Sequence, residues 1–243
     1  MQAEHLVAHR GWRQRFPENT LAAVGGALDA GARYIEVDVQ LSADGEPVLF
    51  HDDTLERICR QSGAVADYSY AQLQRFSAYE PKRFGEAFLD TPIPHLRDLV
   101  ALLERYPDAH LYLEIKDCPV RKFGTAATCD AVLPLIESLR SRCVIISFVF
   151  EFLRHAKQQG WPAVGPVLNT WEEIDSPSLA ALEPAVVFCD IHQLPAKRDL
   201  RALPYPLVVY EVQDAGIAEK LLQRGVQRVE TFTVGELLGS AAC

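Results

Sequence analysis

Two acidic residues alternate with apolar residues in the segment from 34 to 39, which reads Tyr-Ile-Glu-Val-Asp-Val. Strand geometry places Glu36 and Asp38 on one face and the apolar side chains on the other. Two carboxylates on one face repel each other and resist ionisation unless a positive charge lies between them. A divalent cation supplies that charge, and all-oxygen ligands favour Mg²⁺ or Ca²⁺ over zinc. The segment therefore predicts a metal site, with a solvated edge strand as the alternative interpretation.

Residues 111–116, which read Leu-Tyr-Leu-Glu-Ile-Lys, alternate in the same way. Glu114 offers a third oxygen ligand for a metal ion, and Lys116 offers a cation for an anionic substrate. Taken alone, this pattern also fits a Glu–Lys pair on a half-exposed strand. Two strands that each carry such acids in otherwise apolar surroundings favour the metal site.

Two histidines come directly after apolar strand candidates. His9 follows Leu-Val-Ala and precedes Arg10, and His51 follows Val-Leu-Phe and precedes Asp52. Histidine suits general acid–base catalysis because its pKa lies near neutrality. Arg10 can bind a phosphate group through two parallel hydrogen bonds. A single histidine is more often structural, and we interpret the remaining five in that way: His5, His95, His110, His155 and His192.

The elements that must position these residues alternate along the chain. The strand candidates are residues 6–9, 34–39, 47–50, 111–115, 143–147, 163–167, 186–189, 207–210 and 227–230. The helix candidates are residues 21–30, 96–105, 129–139, 152–159, 179–182 and 218–224. Such alternation predicts a mainly parallel sheet covered by helices. The length of 243 residues suits one (β/α)8 TIM barrel, in which catalytic groups gather at the carboxyl ends of the strands.

Nine strand candidates are one too many for that barrel. The connection 41–46 is too short for a crossover helix and contains Asp44-Gly45, a hairpin signal. We therefore predict that segments 34–39 and 47–50 pair as a hairpin, which leaves eight regular strands. Residues 52–94 break the alternation, with at most one short helix at 70–76, and we interpret them as an insertion over one mouth of the barrel. No linker divides the chain, so residues 1–243 are expected to form one domain.

Composition restricts the partners and the location. The net charge of −9 argues against a nucleic acid as the general partner. No signal peptide is visible at the start, and no apolar stretch reaches the 18 or so residues that a membrane span needs. Six scattered cysteines without a CxxC pair are interpreted as free thiols, several of them buried: Cys59, Cys118, Cys129, Cys143, Cys189 and Cys243. These features predict a cytoplasmic protein without a membrane span, and they leave the oligomeric state open.

The chain also resembles the glycerophosphodiester phosphodiesterase family, in its bacterial cytoplasmic form. The similarity is strongest over residues 5–148. It rests on motifs of matching order and spacing: His-Arg-Gly at 9–11, Pro-Glu-Asn-Thr at 17–20, the long motif from Glu36 to Asp52, Ile-Pro at 93–94, Leu-Glu-Ile-Lys at 113–116 and Ile-Ser-Phe at 146–148.

The resemblance implies hydrolysis of glycerophosphodiesters to sn-glycerol 3-phosphate and an alcohol, on a barrel with an insertion near residues 52–94. It implies roles for the matching residues: Glu36, Asp38 and Glu114 bind Mg²⁺ or Ca²⁺, His9 and His51 act as acid and base, Arg10 and Lys116 bind the phosphate, and Glu18 and Asn19 support the site. It leaves open which histidine is the acid. It also leaves open whether water or the neighbouring glycerol hydroxyl attacks first.

The carboxy-terminal half departs from the family pattern. Tyr-Glu-Val-Gln at 210–213 replaces Trp-Thr-Val-Asn, and Thr-Phe-Thr-Val at 231–234 replaces a Thr-Asp pair followed by proline. Late strand ends help to shape the substrate pocket, so these changes leave the preferred alcohol and the strength of the activity open. Glu211 is either a surface acid, a group near the metal, or a contact for a cationic head group.

Three alternative functions remain. A lysophospholipase D-like lipid phosphodiesterase would use aromatic residues near the mouth for an acyl chain, namely Trp12, Phe16, Phe84 and Phe88. A non-catalytic barrel would bind glycerophosphodiesters without cleaving them. A sugar-phosphate isomerase or aldolase shares the fold, but paired histidines with three carboxylates suit phosphodiester cleavage better.

Overall fold

The structure is a computed structural model that describes residues 1–239, so Cys243 lies outside the described residues. Its strands are β1 Leu6–His9, β2 Tyr34–Leu41, β3 Pro47–Leu49, β4 His110–Ile115, β5 Cys143–Ser147, β6 Val164–Pro166, β7 Val187–Asp190, β8 Leu207–Tyr210 and β9 Arg228–Thr231. Its α-helices are α1 Leu21–Asp29, α2 Glu56–Cys59, α3 Tyr70–Leu73, α4 Pro81–Phe84, α5 Leu96–Leu103, α6 Asp117–Phe123, α7 Thr125–Val132, α8 Phe150–Gln158, α9 Pro177–Ala180, α10 Ala215–Gln223 and α11 Val234–Leu238.

Eight parallel strands form a nearly closed barrel. They lie side by side in the order β6, β5, β4, β2, β1, β9, β8, β7. The two ends of this row meet just beyond β6, where Val167 and Phe188 form a parallel bridge and Leu168 N donates to Phe188 O at 2.9 Å. The prediction of a (β/α)8 TIM barrel is confirmed.

The ninth strand pairs outside the barrel. Strand β3 runs antiparallel to β2, with Leu41 opposite Pro47 and Val39 opposite Leu49. Gly45 lies in the connecting turn at φ +80°, a conformation that glycine adopts without strain. The predicted hairpin is confirmed, and the last residues of β2 thereby gain hydrogen-bond partners beyond the barrel.

Strand alternation divides the barrel into two faces. The outward side chains of β2 and β4 pack into the main core with the helices: Ile35, Val37, Val39, Leu111, Leu113 and Ile115. Each such buried side chain contributes roughly 1.5–3 kcal/mol relative to exposure. A second apolar cluster fills the barrel interior: Val7, Tyr112, Ile146, Val167, Val186, Phe188 and Val208. The next inward positions after Val7 and Tyr112 are His9 and Glu114, so the polar residues lie above this apolar floor.

The segment 52–94 contains three one-turn helices, α2, α3 and α4, together with the 3-10 turn Val65–Asp67. The sequence expectation of one helix at most was wrong, because elements of four residues are too short to show a helical period. Local capping explains one of them: Ser69 and Gln72 form a capping box at the start of α3. The segment has its own apolar cluster, which includes Leu55, Ile58, Val65, Leu73 and Ile93.

Two further features concern the cysteines and the helices. The five cysteines within residues 1–239 are free thiols, with Cys118 half-buried and the other four buried. Helices α6 and α11 were not anticipated, and the helix predicted at 129–139 is instead the end of α7 followed by the 3-10 segment Leu133–Leu139. Within residues 1–239, no helix is both long and apolar enough to cross a membrane.

Candidate active site

Three carboxylates meet at the carboxyl ends of two neighbouring strands. Glu36 and Asp38 point inward from β2 and Glu114 points inward from β4, where Asp38 and Glu114 are direct neighbours in the ladder. All three residues are buried, and each offers one oxygen within 4.8 Å of the others. The inward positions predicted from alternation are therefore observed, and the set of three oxygens is compatible with one shared cation.

The turn after β1 places the next two predicted residues. His9 ends β1, with Nε2 3.8 Å from Glu36 Oε2 and its ring stacked on Phe232 at 4.7 Å. Arg10 follows in the left-handed region at φ +57°, and its backbone N–H donates to Glu36 Oε2 at 3.0 Å. Its guanidinium lies 2.8 Å from Glu18 and 3.1 Å from Asp38. Arg10 is thus held in place by buried carboxylates on both sides.

His51 belongs to a chain of charged contacts that reaches the same cleft. Its Nδ1 lies 2.7 Å from Asp52 Oδ1, and Asp52 in turn accepts from Arg57 Nε at 2.6 Å. Arg57 also donates twice to Glu18, at 2.6 and 2.9 Å. Because Glu18 contacts Arg10 as well, it links the surroundings of the two histidines. Arg57 and Arg13, a further partner of Glu18 at 2.6 Å, were not anticipated from the sequence.

Lys116 and Asn19 complete the predicted set. Lys116 follows β4, and its Nζ lies 2.7 Å from Glu114 and 3.4 Å from Asp38. Asn19 is buried and its side-chain amide donates to Asp38 at 2.8 Å, one residue before the N-cap Thr20 of α1. The structure therefore brings all nine predicted site residues into one continuous cluster.

Burial and charge shift the pKa values within this cluster in opposite directions. Burial, followed by the charges of Asp38, Glu230 and Glu114, raises the pKa of Glu36 well above its usual value. Burial would also raise the pKa of Asp38, but the charges of Lys116 and Arg10 outweigh it and lower that pKa. Like charges packed this closely raise one another's pKa, and a cation bound between them would favour their ionised forms.

Burial, and then the charge of Arg10, lowers the pKa of His9 well below its usual value. The imidazole is therefore neutral at pH 7 and has a lone pair that can accept a proton. His9 Nδ1 lies 3.5 Å from Glu211, whose carboxylate is partly exposed at the rim of the cleft.

The cleft has an empty volume of about 390 Å³, and its lining combines ionisable side chains with aromatic and aliphatic ones. Its lining comprises His9, Arg10, His51, Glu114, Lys116, Phe148, Val167, Phe188, Tyr210, Glu211 and Glu230. Within residues 1–239, this lining includes none of the four aromatic residues proposed for an acyl chain. Those four contact one another in a row, from Trp12 to Phe16, Phe88 and Phe84.

Glu230 is a site residue that sequence analysis missed. It is buried on β9 between two outward residues, Val229 and Thr231. The alternation Arg-Val-Glu-Thr at 228–231 is the same signal that identified Glu36 and Asp38, but it carries a single acid and lies outside the family motifs.

The fold and the cleft together define a (β/α)8-barrel protein with a buried carboxylate cluster and two histidines at the carboxyl ends of its strands. In barrels of this type the active site lies at that end. Residues 9–229 match the glycerophosphoryl diester phosphodiesterase family, and the chain belongs to this family.

Individual relatives support the assignment. Glycerophosphodiester phosphodiesterase from Caldanaerobacter subterraneus subsp. tengcongensis is 39% identical over 155 residues, which are 63% of this chain and 61% of the relative. Glycerophosphodiester phosphodiesterase 1 from Homo sapiens is 39% identical over 95 residues, which are 39% of this chain and 29% of the relative. The matched stretches thus span less than two thirds of these relatives.

A phosphodiesterase from Oleispira antarctica, solved in complex with the product sn-glycerol-3-phosphate, has a similar structure over nearly the whole length. The TM-score is 0.83 at 27% identity, and the alignment covers 97% of this chain and 96% of that one.

Proposed function

We propose that the protein hydrolyses glycerophosphodiesters to sn-glycerol 3-phosphate and an alcohol, with the help of a divalent cation. Family membership and the names of the relatives support the reaction class, and the product bound to the Oleispira antarctica phosphodiesterase supports the product. The observation that carries the proposal is the triad of Glu36, Asp38 and Glu114, which lies beside a cleft lined by Glu114, His9 and His51.

The residues present fit a divalent cation. Glu36, Asp38 and Glu114 would hold it, and Oε1 of Glu36 is buried without a hydrogen-bond partner in the described part of the chain. An all-carboxylate set suits Mg²⁺ or Ca²⁺. A cation bound there would polarise the phosphodiester oxygens and neutralise the charge that develops in the transition state.

The remaining work falls to side chains of the cleft. Arg10 and Lys116 line it with fixed positive charge and bind the phosphate oxygens. His9 and His51 divide two proton transfers, one from the attacking hydroxyl group and one to the departing alcohol. Asp52 engages Nδ1 of His51 at 2.7 Å, which leaves Nε2 as the ring nitrogen that exchanges a proton.

A direct test measures release of glycerol 3-phosphate from glycerophosphocholine and glycerophosphoethanolamine with Mg²⁺, with Ca²⁺ or with EDTA. We expect turnover only with a cation, and a fall of about 10²- to 10⁴-fold in His9→Ala and in His51→Ala. His5→Ala is the matched control, because His5 precedes β1 at the opposite end of the strand from His9.

Two results would replace this proposal. Cleavage of lysophospholipids in preference to water-soluble diesters would indicate a lipid phosphodiesterase, although the aromatic residues Trp12 and Phe16 pack away from the cleft lining. Binding of glycerophosphocholine without turnover under any cation condition would indicate a non-catalytic binding barrel.

A further inference from the structure

Glu230 is a buried acid whose carboxyl group has no stabilising partner in the described part of the fold. It lies on β9 with 3% of its surface exposed, opposite Val7 of β1 in the ladder. Its Oε1 has no hydrogen-bond partner among residues 1–239, and no lysine or arginine of that range lies within ion-pair distance of it. A buried carboxyl without partners lowers the stability of a fold, so a purely structural role does not account for it.

The side chain of Glu230 is directed at the carboxylate cluster. His9, Glu36 and Glu230 each offer one ligand atom within 4.8 Å of the other two. Glu36 belongs at the same time to the triad with Asp38 and Glu114, so it joins the two groups. In the row of strands β9 lies beside β1, which is followed by β2 and β4, and Glu36 of β2 offers ligand atoms within 4.8 Å of those of Glu114 from β4 and of Glu230 from β9.

The cluster contains more carboxylates than cationic side chains. Four buried carboxylates, Glu36, Asp38, Glu114 and Glu230, face two fixed cations, Arg10 and Lys116. The carboxylates outnumber these cations, and a divalent cation would offset the excess of negative charge.

We propose that Glu230 is a fourth carboxylate ligand of the divalent cation and that it gives the site a preference for Ca²⁺ over Mg²⁺. This inference rests on the metal centre of the proposed function. Ca²⁺ takes six to eight oxygen ligands in flexible geometry, whereas Mg²⁺ retains several waters and uses one or two carboxylates. A fourth carboxylate from β9 therefore adds more to the binding of Ca²⁺ than to that of Mg²⁺.

Isothermal titration of the metal-free protein with CaCl₂ and with MgCl₂ tests the inference. For Glu230→Gln we expect a Ca²⁺ dissociation constant raised by at least about 10-fold, with a smaller change for Mg²⁺. Glu114→Gln serves as the reference for loss of a ligand. Glu219→Gln is the charge-matched control on the exposed face of α10, and we expect it to bind like the wild type.

Thermal unfolding gives a second reading that separates ligation from misfolding. In EDTA, Glu230→Gln should melt at or above the temperature of the wild type, because a neutral amide replaces a buried acid without a partner. Ca²⁺ should then raise the melting temperature of Glu230→Gln less than that of the wild type. Glu230→Asp, which retains the charge on a shorter side chain, should show an intermediate Ca²⁺ affinity.

The outcomes distinguish the two levels of the argument. Unchanged Ca²⁺ affinity in Glu230→Gln, together with a loss in Glu114→Gln, would overturn the role of Glu230 and leave the metal centre in place. Equal losses of Ca²⁺ and Mg²⁺ affinity would overturn the Ca²⁺ preference. A wild-type protein that binds neither cation would overturn the metal centre itself.

Discussion

Asn19 and Asp38 are joined by two reciprocal hydrogen bonds. The side-chain amide of Asn19 donates to Asp38 Oδ2 at 2.8 Å, and the backbone N–H of Asp38 donates to Asn19 Oδ1 at 3.0 Å. Asn19 adopts φ +55°, a left-handed conformation that asparagine tolerates better than most residues. Since the backbone N–H of Asn19 also donates to Arg10 O at 3.1 Å, this one residue connects the loop after β1 with the acid on β2.

Removal of the Asn19 side chain should release Asp38. In Asn19→Gly the left-handed backbone is retained and both hydrogen bonds are lost, so we expect a decrease of about 1–3 kcal/mol in the free energy of unfolding. Asn19→Ala should cost about 1–2 kcal/mol more, because alanine is strained at this φ. Urea denaturation measures both values. Equal stability of the glycine variant and the wild type would contradict the role assigned to these bonds.

Part of this site follows from the sequence because strands alternate with a period of two. Once Ile35, Val37 and Val39 had to face the helices, Glu36 and Asp38 had to face the barrel interior. The hairpin between β2 and β3 follows from the short connection with Asp44-Gly45 in the same way.

Other parts depend on contacts between distant segments. Glu18 gains Arg57 as a partner only because the chain returns to it 39 residues later. The helices α2 and α4 are single turns whose formation depends on packing in the segment 52–94. They are too short for a periodic hydrophobic pattern in the sequence to predict them. Glu230 reaches the site only because the last strand, β9, pairs with the first strand, β1.

Glu18 should make the stability of the protein depend on pH. Burial would raise its pKa, but hydrogen bonds from Arg57 and the charges of Arg10, Arg57 and Arg13 outweigh burial and lower the pKa to about 2. A carboxyl with a lowered folded pKa stabilises the protein above its usual pKa, near 4.5, and this contribution disappears as the pH falls towards 2. The full contribution at pH 7 is about 3 kcal/mol.

Denaturation of the wild type and of Glu18→Gln at several pH values tests this dependence. We expect the stability advantage of the wild type to shrink by about 2 kcal/mol between pH 7 and pH 3, since the variant cannot titrate at this position. The difference should be constant between pH 7 and about pH 5.5. An advantage that stays constant down to pH 3 would show that the pKa of Glu18 is the same in the folded and the unfolded protein, which would contradict its stabilisation by the arginines.

Asp52 should position His51 for proton transfer. Its Oδ1 contacts His51 Nδ1 at 2.7 Å. An asparagine at this position has no negative charge, and its amide nitrogen cannot accept a hydrogen bond from Nδ1–H. For Asp52→Asn we expect kcat to fall about 10- to 100-fold with little change in KM. This loss is smaller than the loss of about 10²- to 10⁴-fold that removal of a catalytic acid or base causes. Asp53→Asn is the adjacent control, because the side chain of Asp53 is exposed and lies 3.4 Å from the exposed Arg121. A similar fall in kcat for both variants would argue against a specific role of Asp52.

Two glycines, Gly11 after β1 and Gly25 within α1, should respond to alanine in opposite directions. Gly11 follows Arg10 at φ +78°, and an added Cβ would lie 2.5 Å from the backbone carbon of Ala23. Gly11→Ala therefore combines left-handed strain with a backbone clash, and we expect a loss of more than about 2 kcal/mol in unfolding free energy.

Gly25 lies in the middle of α1 with nothing within 4 Å of the corresponding Cβ, so Gly25→Ala should stabilise the protein by about 0.5–1 kcal/mol. Thermal or urea unfolding of the two variants measures both signs, and destabilisation by Gly25→Ala would show that the helix is not free to accept a methyl group there. Unchanged stability of Gly11→Ala would show that the turn that carries Arg10 can move away from α1. The position of the Arg10 guanidinium would then depend on its contacts with Glu18 and Asp38 alone.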